Sequence, residues 1–179
     1  MCAVALRSQS RARLRVSGAR KAGYPAFIEP SDPTLREHAP KGDNWFFEIK
    51  ADGYRAQLHC HGGKVTVFSR TGLDWTAQFS TIAAAASFLR KRDVVIDGEA
   101  VVYGNTGIPD FQQLRRELGP RKSPRVLFHA FDLLYLDGYD LRETPYLERK
   151  RRLEALLKSA PKNIVYVEYL EAEGASVFA

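Results

Sequence analysis

Three side chains placed close together raise the question of chemistry: Lys50, Asp52 and Arg55, in the run Phe47-Glu48-Ile49-Lys50-Ala51-Asp52-Gly53-Tyr54-Arg55. A lysine amine attacks only when deprotonated, and freeing it from a pKa of about 10.4 costs about 4.6 kcal/mol at pH 7. Desolvation or a cationic neighbour lowers that cost. Here Phe46, Phe47 and Ile49 supply apolar surroundings and Arg55 a nearby cation. Asp52 offers a carboxylate for a metal, and Arg55 a guanidinium for phosphate. Gly53 keeps the turn free of a side chain where a ligand would approach. Taken alone, a Lys-x-Asp-Gly run is better read as a surface lysine at a strand end before an ordinary turn.

Other polar insertions change that balance. Asp97 and Glu99 interrupt the apolar run from Val94 to Val102. Residues two apart in a strand face the same side, and burying two charges without a partner is costly. A divalent metal or a ribose would give them one; the alternative is a strand end with one acid exposed and one salt-bridged. Phe131-Asp132 repeats the theme, with Phe131 either core or a stacking surface. Arg70, before Thr71-Gly72, either holds phosphate or ends a hairpin in solvent. His59 and His61 share a strand face without an evident third ligand and read as ordinary hairpin residues, zinc being a minority reading. His129 reads as a satisfied core histidine.

The elements that must position these groups follow from pattern. Trp45 to Lys50 reads as an apolar strand. Arg55–His61 and Lys64–Arg70, joined by Gly62-Gly63, read as a hairpin. Phe79, Ile82, Ala83, Ala86 and Leu89 have helical spacing and predict a helix over 76–91. Asp93 to Tyr103 is a strand, and Asp110 can cap a short helix to Leu118, stopped by Gly119-Pro120. Arg125 to Leu136 is a buried strand turned by Asp137-Gly138. A helix over 146–158 has Leu147, Leu153, Leu156 and Leu157 inward and its basic residues outward. Ile164 to Leu170 is a last strand, and residues 171–179 look like the opening of a helix.

The 179 residues suffice for one domain with a real core. No apolar run approaches the roughly 20 residues of a membrane span, and two cysteines, Cys2 and Cys60, form no disulfide framework. The net charge of +6 is local: residues 1–21 hold Arg7, Arg11, Arg13, Arg15, Arg20 and Lys21 and no acid, which leaves 21 basic against 21 acidic residues elsewhere. Residues 1–24 read as a basic flexible tail or linker. Contact with nucleic acid and an organelle-targeting role stay open for it.

In order, Lys50-x-Asp52-Gly53-x-Arg55, Ser69-Arg70-Thr71-Gly72, Asp97-Gly98-Glu99 and Phe131-Asp132-Leu133-Leu134-Tyr135 resemble the motifs of covalent nucleotidyltransferases: ATP-dependent DNA ligases, RNA ligases and mRNA capping enzymes. Phe27-Ile28-Glu29-Pro30, Gly72-Leu73-Asp74-Trp75 and the continuation Leu136-Asp137-Gly138 are most similar to DNA ligases of bacterial end-joining systems. The resemblance covers about residues 25–179.

It implies an α+β, ATP-grasp-like nucleotidyltransferase fold of antiparallel sheets flanked by helices, with the nucleotide between sheets. It implies that Lys50 attacks the α-phosphate of ATP, forms a lysyl-AMP, and passes AMP to the 5′-phosphate of nicked double-stranded DNA. Arg55 and Arg70 would hold ribose or phosphate, with Arg70 and Thr71 near the DNA phosphate. Glu99 would contact ribose or metal, Phe131 would stack on adenine, and Glu48 and Ile49 would border the adenine slot through their backbone. Asp52 and Glu99 would support Mg²⁺ or Mn²⁺. End-joining proteins would be partners, in a bacterial cytoplasm beside the nucleoid. The family continues with a Glu-Gly-x-x-x-Lys motif, a Lys-x-Lys motif and an OB-fold domain, none of which precedes Ala179; Glu173-Gly174 has no following lysine. The expectation is therefore a partial adenylation domain over 25–179, incomplete at its C-terminus, with impaired activity. The rival readings are an RNA ligase or capping-type enzyme, and an inactive nucleotide- or DNA-binding remnant.

Overall fold

The computed structural model describes residues 16–31, 46–118 and 124–170. The expectations for residues 1–15, Trp45, the Gly119-Pro120 stop and residues 171–179 lie outside them. In chain order the described strands are β1 (Arg20–Lys21), β2 (Phe47–Glu48), β3 (Tyr54–His61), β4 (Lys64–Ser69), β5 (Val94–Val101), β6 (Leu127–Leu136), β7 (Tyr139–Asp140), β8 (Ile164–Tyr166) and β9 (Tyr169–Leu170). The described helices are α1 (Ser80–Ala85), α2 (Phe111–Glu117) and α3 (Tyr146–Leu157).

Local chemistry builds the central hairpin. Gly62 and Gly63 both take positive φ, 55° and 80°, as a two-residue primed turn demands. The turn sets the register of β3 on β4, with Leu58 opposite Val67 and Cys60 opposite Val65. β5 lies on the other side of β3 and β6 beyond it, giving the order β1-β7-β6-β5-β3-β4. The outer edge of β6 is shared: β7 pairs with Tyr135 and Leu136, and β8 with Phe128 to Ala130. The β6–β8 pair is parallel, a departure from the antiparallel expectation. Parallel neighbours need a long crossover, and α3 supplies it. A separate two-stranded sheet pairs Phe47 with Leu170 and Glu48 with Tyr169.

One face of the large sheet is sealed by helices. Leu58, Ile96, Phe128 and Leu133 pack there with Phe79, Ile82, Leu114 and Leu153, all essentially without exposure. Asp110 caps α2 by accepting from the Gln113 amide at 2.8 Å. The helix expected over 76–91 starts late and is short: α1 gives way to a 3-10 turn over Ala86–Leu89. The residues before it are committed to β4. Trp75 N donates to Val67 O at 2.9 Å and the Thr76 hydroxyl accepts from Val67 N at 3.0 Å. The strand expected over 164–170 is likewise split: β8 ends on β6, with Val167 N donating to Ala130 O at 2.9 Å, and β9 joins the small sheet.

The expected flexible tail through residue 24 needs correction for its last part. β1 pairs with β7, Arg20 opposite Asp140. The Tyr24 hydroxyl reaches His59 Nδ1 at 3.0 Å and Val94 O at 3.1 Å. Ile28 exchanges two hydrogen bonds with the buried Gln57 amide, 3.1 and 2.8 Å. Residues 16–31 thus cross the second face of the sheet and cover the end of it that carries Gln57, His59 and Tyr135. Burial lowers the His59 pKa to about 4, so its ring is neutral. Its Nε2 lies 2.9 Å from Gln57 Oε1. Among the described residues no helix is long and apolar enough to cross a membrane.

Gly98 marks the tightest point between β5 and β6. A Cβ there would lie 2.4 Å from the Phe128 ring and 2.7 Å from the His129 carbonyl. Gly98→Ala is expected to lower unfolding stability by about 1–3 kcal/mol, the usual cost of overpacking. Gly23→Ala, whose Cβ meets nothing within 4 Å, is the control; urea denaturation of both measures the difference.

Candidate active site

The half of the second sheet face left open by residues 16–31 holds the polar insertions. Register places Arg55 of β3 opposite Glu99 of β5, and Glu99 opposite His129 of β6. Asp97 is 4% exposed. Its two oxygens accept from Arg55 Nε and Nη2, both at 2.8 Å, and its Oδ1 also accepts from the Gly98 amide. Burial pushes the Asp97 carboxyl up, and the Arg55 bonds pull it back. For Arg55, burial opposes the charge, while Asp97, Glu99 and Asp132 outweigh it and leave the pKa raised. Two parallel N–H···O bonds to two acceptor oxygens are the geometry of a charged pair, in which both groups are ionised.

The Asp97/Glu99 pair expected to share one ligand is therefore divided. Asp97 holds Arg55, and Glu99 is left facing the site. Burial raises the Glu99 pKa to about 7, against the pull of Arg55 and Lys50 and with help from Asp52 and Asp97. Arg55 is half-buried rather than extended toward solvent, and its Cζ lies 4.5 Å from the centroid of the Phe131 ring. The guanidinium thus covers the aromatic surface expected to stack on a base.

Lys50 follows β2 at the mouth of a cleft of about 490 Å³, whose lining includes Ile49, Tyr103, His129, Val165 and Tyr166. Its side chain is 80% exposed, and Nζ lies 3.9 Å from the equally open Asp52. The desolvation expected for a nucleophile is not built into this state. Gly53 is explained differently than expected: a Cβ there would sit 2.2 Å from the Ala100 carbonyl, so close approach to β5 requires the glycine. Ile49 borders the cleft and is 75% exposed. Glu48 turns away from it, toward α3. Arg70 and Thr71 are exposed at the end of β4, next to Ser69, which pairs with Ala56; the Thr71 hydroxyl lies 3.2 Å from Ser69 Oγ.

Several groups at the site escape sequence reasoning. His129 is satisfied, but on the cleft side, with Nε2 3.2 Å from the Tyr103 hydroxyl. Asp132 is held by Arg149 in a second bidentate pair, 2.7 and 3.0 Å. Lys150, expected outward with the other basic residues of α3, is fully buried and bonds Glu48 Oε1 at 2.6 Å. Its signal lay in the spacing: Tyr146, Lys150, Leu153 and Leu157 fall on one helical stripe. Neither His59 nor His61 contributes to the site. His59 bonds Gln57 and Tyr24, and His61 bonds Asp93 at 2.9 Å and stacks on Tyr24.

Comparison with known proteins fits this geometry. The profile of the ATP dependent DNA ligase domain matches residues 31–178. The chain is 41% identical over 151 residues to the multifunctional non-homologous end joining protein LigD of Mycobacterium bovis, covering 82% of this chain and 19% of that protein. To its Pseudomonas aeruginosa counterpart it is 38% identical over 138 residues, covering 77% and 16%. A solved mycobacterial DNA ligase D, complexed with ATP and MES, superposes with a TM-score of 0.64 at 39% identity, over 74% of this chain and 42% of that one. The chain belongs to the ATP-dependent DNA ligase domain family. It spans less than a fifth of the length of these two curated relatives.

The raised Glu99 carboxyl has a definite sign. Its protonated form is favoured in the fold, so its contribution to stability is fully present below pH 4.5 and is lost as pH rises to about 7. His59, lowered to about 4, acts oppositely in an overlapping window, so the test is a difference. Glu99→Gln is expected to gain stability relative to wild type as pH rises from 4.5 to 7. Urea denaturation of both proteins across that range measures it; a constant difference would mean that Glu99 does not titrate there.

Proposed function

We propose that this chain carries out the adenylation chemistry of ATP-dependent DNA ligation, in the service of bacterial end joining. The observation that carries the reading is the placement of Lys50 at the mouth of a cleft beside the Arg55, Glu99 and Phe131 face. The Lys50 amine, once it has lost its proton, forms a bond to the α-phosphorus of ATP as the bond to the β-phosphate oxygen breaks and pyrophosphate leaves. AMP then passes to the 5′-phosphate at a nick in double-stranded DNA, and the 3′-hydroxyl displaces it.

The other residues take roles suited to their positions. Adenine stacks on Phe131 once Arg55 moves from the ring toward ribose or phosphate. Glu99, ionised above about pH 7, accepts from the ribose hydroxyls or supports a metal. Ile49 borders the base, and its backbone and that of Glu48 frame the slot. Arg70 and Thr71, exposed at the end of β4, meet phosphate of the nucleotide or the DNA. A nucleotide filling the cleft excludes water from Lys50, which supplies the desolvation that this open state lacks.

Asp52 and Glu99 fit a hard cation. Both are oxygen donors, and burial is the chief cause that raises the Glu99 carboxyl, a cost that a bound cation would offset. Among the described residues no group of three or more His, Cys, Asp or Glu side chains stands ready for a metal. One or two carboxylates with phosphates and water are the usual surroundings of Mg²⁺. Bound there, Mg²⁺ or Mn²⁺ would neutralise phosphate and pyrophosphate charge.

Incubation with α-phosphate-labelled ATP and Mg²⁺ tests the reading. The protein is expected to retain label through denaturation in detergent, and γ-phosphate label is expected to be absent. Lys50→Ala is expected to abolish labelling. Label that persists in the alanine variant removes Lys50 from the role, and an unlabelled wild-type chain overturns covalent adenylation by this chain.

A further inference from the structure

Lys150 is a basic residue placed where charges are rarely kept. Its side chain is 0% exposed, and such a charge persists only where partners replace its water. Three oxygens do so: Glu48 Oε1 at 2.6 Å, the Phe131 carbonyl at 3.2 Å and the Val167 carbonyl. The Tyr166 ring centroid lies 4.6 Å from Nζ. The Tyr146 hydroxyl, one helical turn before Lys150, donates to the same Glu48 oxygen.

These oxygens come from three separate segments around the site. Glu48 is the last residue of β2, two before Lys50. Phe131 is the aromatic residue under Arg55. Val167 lies between β8 and β9 and lines the cleft itself. β2 needs such a tie, because its ladder to β9 is only two residues long and so short a pair does not fix a strand. We infer that Lys150 is a positioning residue for the Lys50 nucleophile, joining β2, Phe131 and the β8–β9 link to α3 at one ammonium. The inference rests on the adenylation reading for its consequence, and on these contacts for its geometry. Nucleophile and phosphorus must meet within a narrow range, and a displacement of about 1 Å can cost about 10²-fold in rate. The Lys150–Glu48 tie acts on that alignment without touching the nucleotide.

Two variants separate positioning from charge balance. Lys150→Met removes the ammonium and strands the Glu48 carboxylate; adding Glu48→Gln removes that stranded charge and guards against simple misfolding. In the nucleotide-free protein, both variants are expected to exchange backbone amides about tenfold faster over residues 46–50 and 166–170, with β3 and β5 unchanged. Adenylation of Lys50 is expected to slow about 10²-fold with little change in KM for ATP. The double variant is expected to recover thermal stability but not rate. Wild-type exchange over 46–50, or recovery of both stability and rate in the double variant, would overturn the inference. If the wild-type chain takes no label, the adenylation reading fails, and amide exchange alone decides whether Lys150 fastens β2.

Discussion

The bidentate pair between Arg55 and Asp97 sets the layout of the sheet's polar face. Asp97 lies opposite Asp132 in the β5–β6 ladder, and like charges directly across a sheet repel. Each is answered by its own arginine, Asp97 by Arg55 and Asp132 by Arg149. Burial of Asp97 is tolerable only because both of its oxygens are used. Once Arg55 is held there, its plane lies over Phe131, and Glu99 is the carboxylate left to the site. The arrangement of Arg55, Phe131 and Glu99 in this open state therefore follows from one ion pair.

The surrounding architecture divides labour between the two faces. Helices seal one with Phe79, Ile82, Leu114 and Leu153, and this side holds the sheet together. The other is covered only in part, so the polar strip from Arg55 through Glu99 to His129 stays half-buried and open toward the cleft. Shift points in the β5–β6 ladder, between Val95 and Ile96 and between Asp97 and Gly98, fall within the stretch that carries the acids. Gly98 and Gly53 let backbone approach backbone here. Rigidity and access thus come from the same small residues.

Features set by neighbours in sequence were legible in advance. The Gly62-Gly63 hairpin, the Asp110 cap, the turn at Asp137-Gly138 and the apolar strands each depend on a few adjacent residues. The ordered motifs around Lys50, Arg70, Glu99 and Phe131 identified the family for the same reason. What escaped was set by long-range pairing. Lys150 and Glu48 are 102 residues apart, so a basic residue in an apolar stripe had no visible partner. The division of Asp97 from Glu99 required knowing which one Arg55 would reach. The exposure of Lys50 depends on what surrounds the cleft, which no local pattern encodes.

Residues 16–31 sit almost wholly before the family match, which begins at residue 31. Yet Tyr24 and Ile28 form a small second core with Val95, Leu134 and Tyr135, and Gly18 presses against the Glu143 carbonyl so closely that a Cβ would lie 2.1 Å away. A domain boundary drawn at residue 31, where that profile begins, would pass through the interior of this protein. A chain started there would leave the Gln57 amide and the neutral His59 ring without Ile28 and Tyr24, and would open the back of the sheet to water. The family profile and the folded unit have different edges in this molecule.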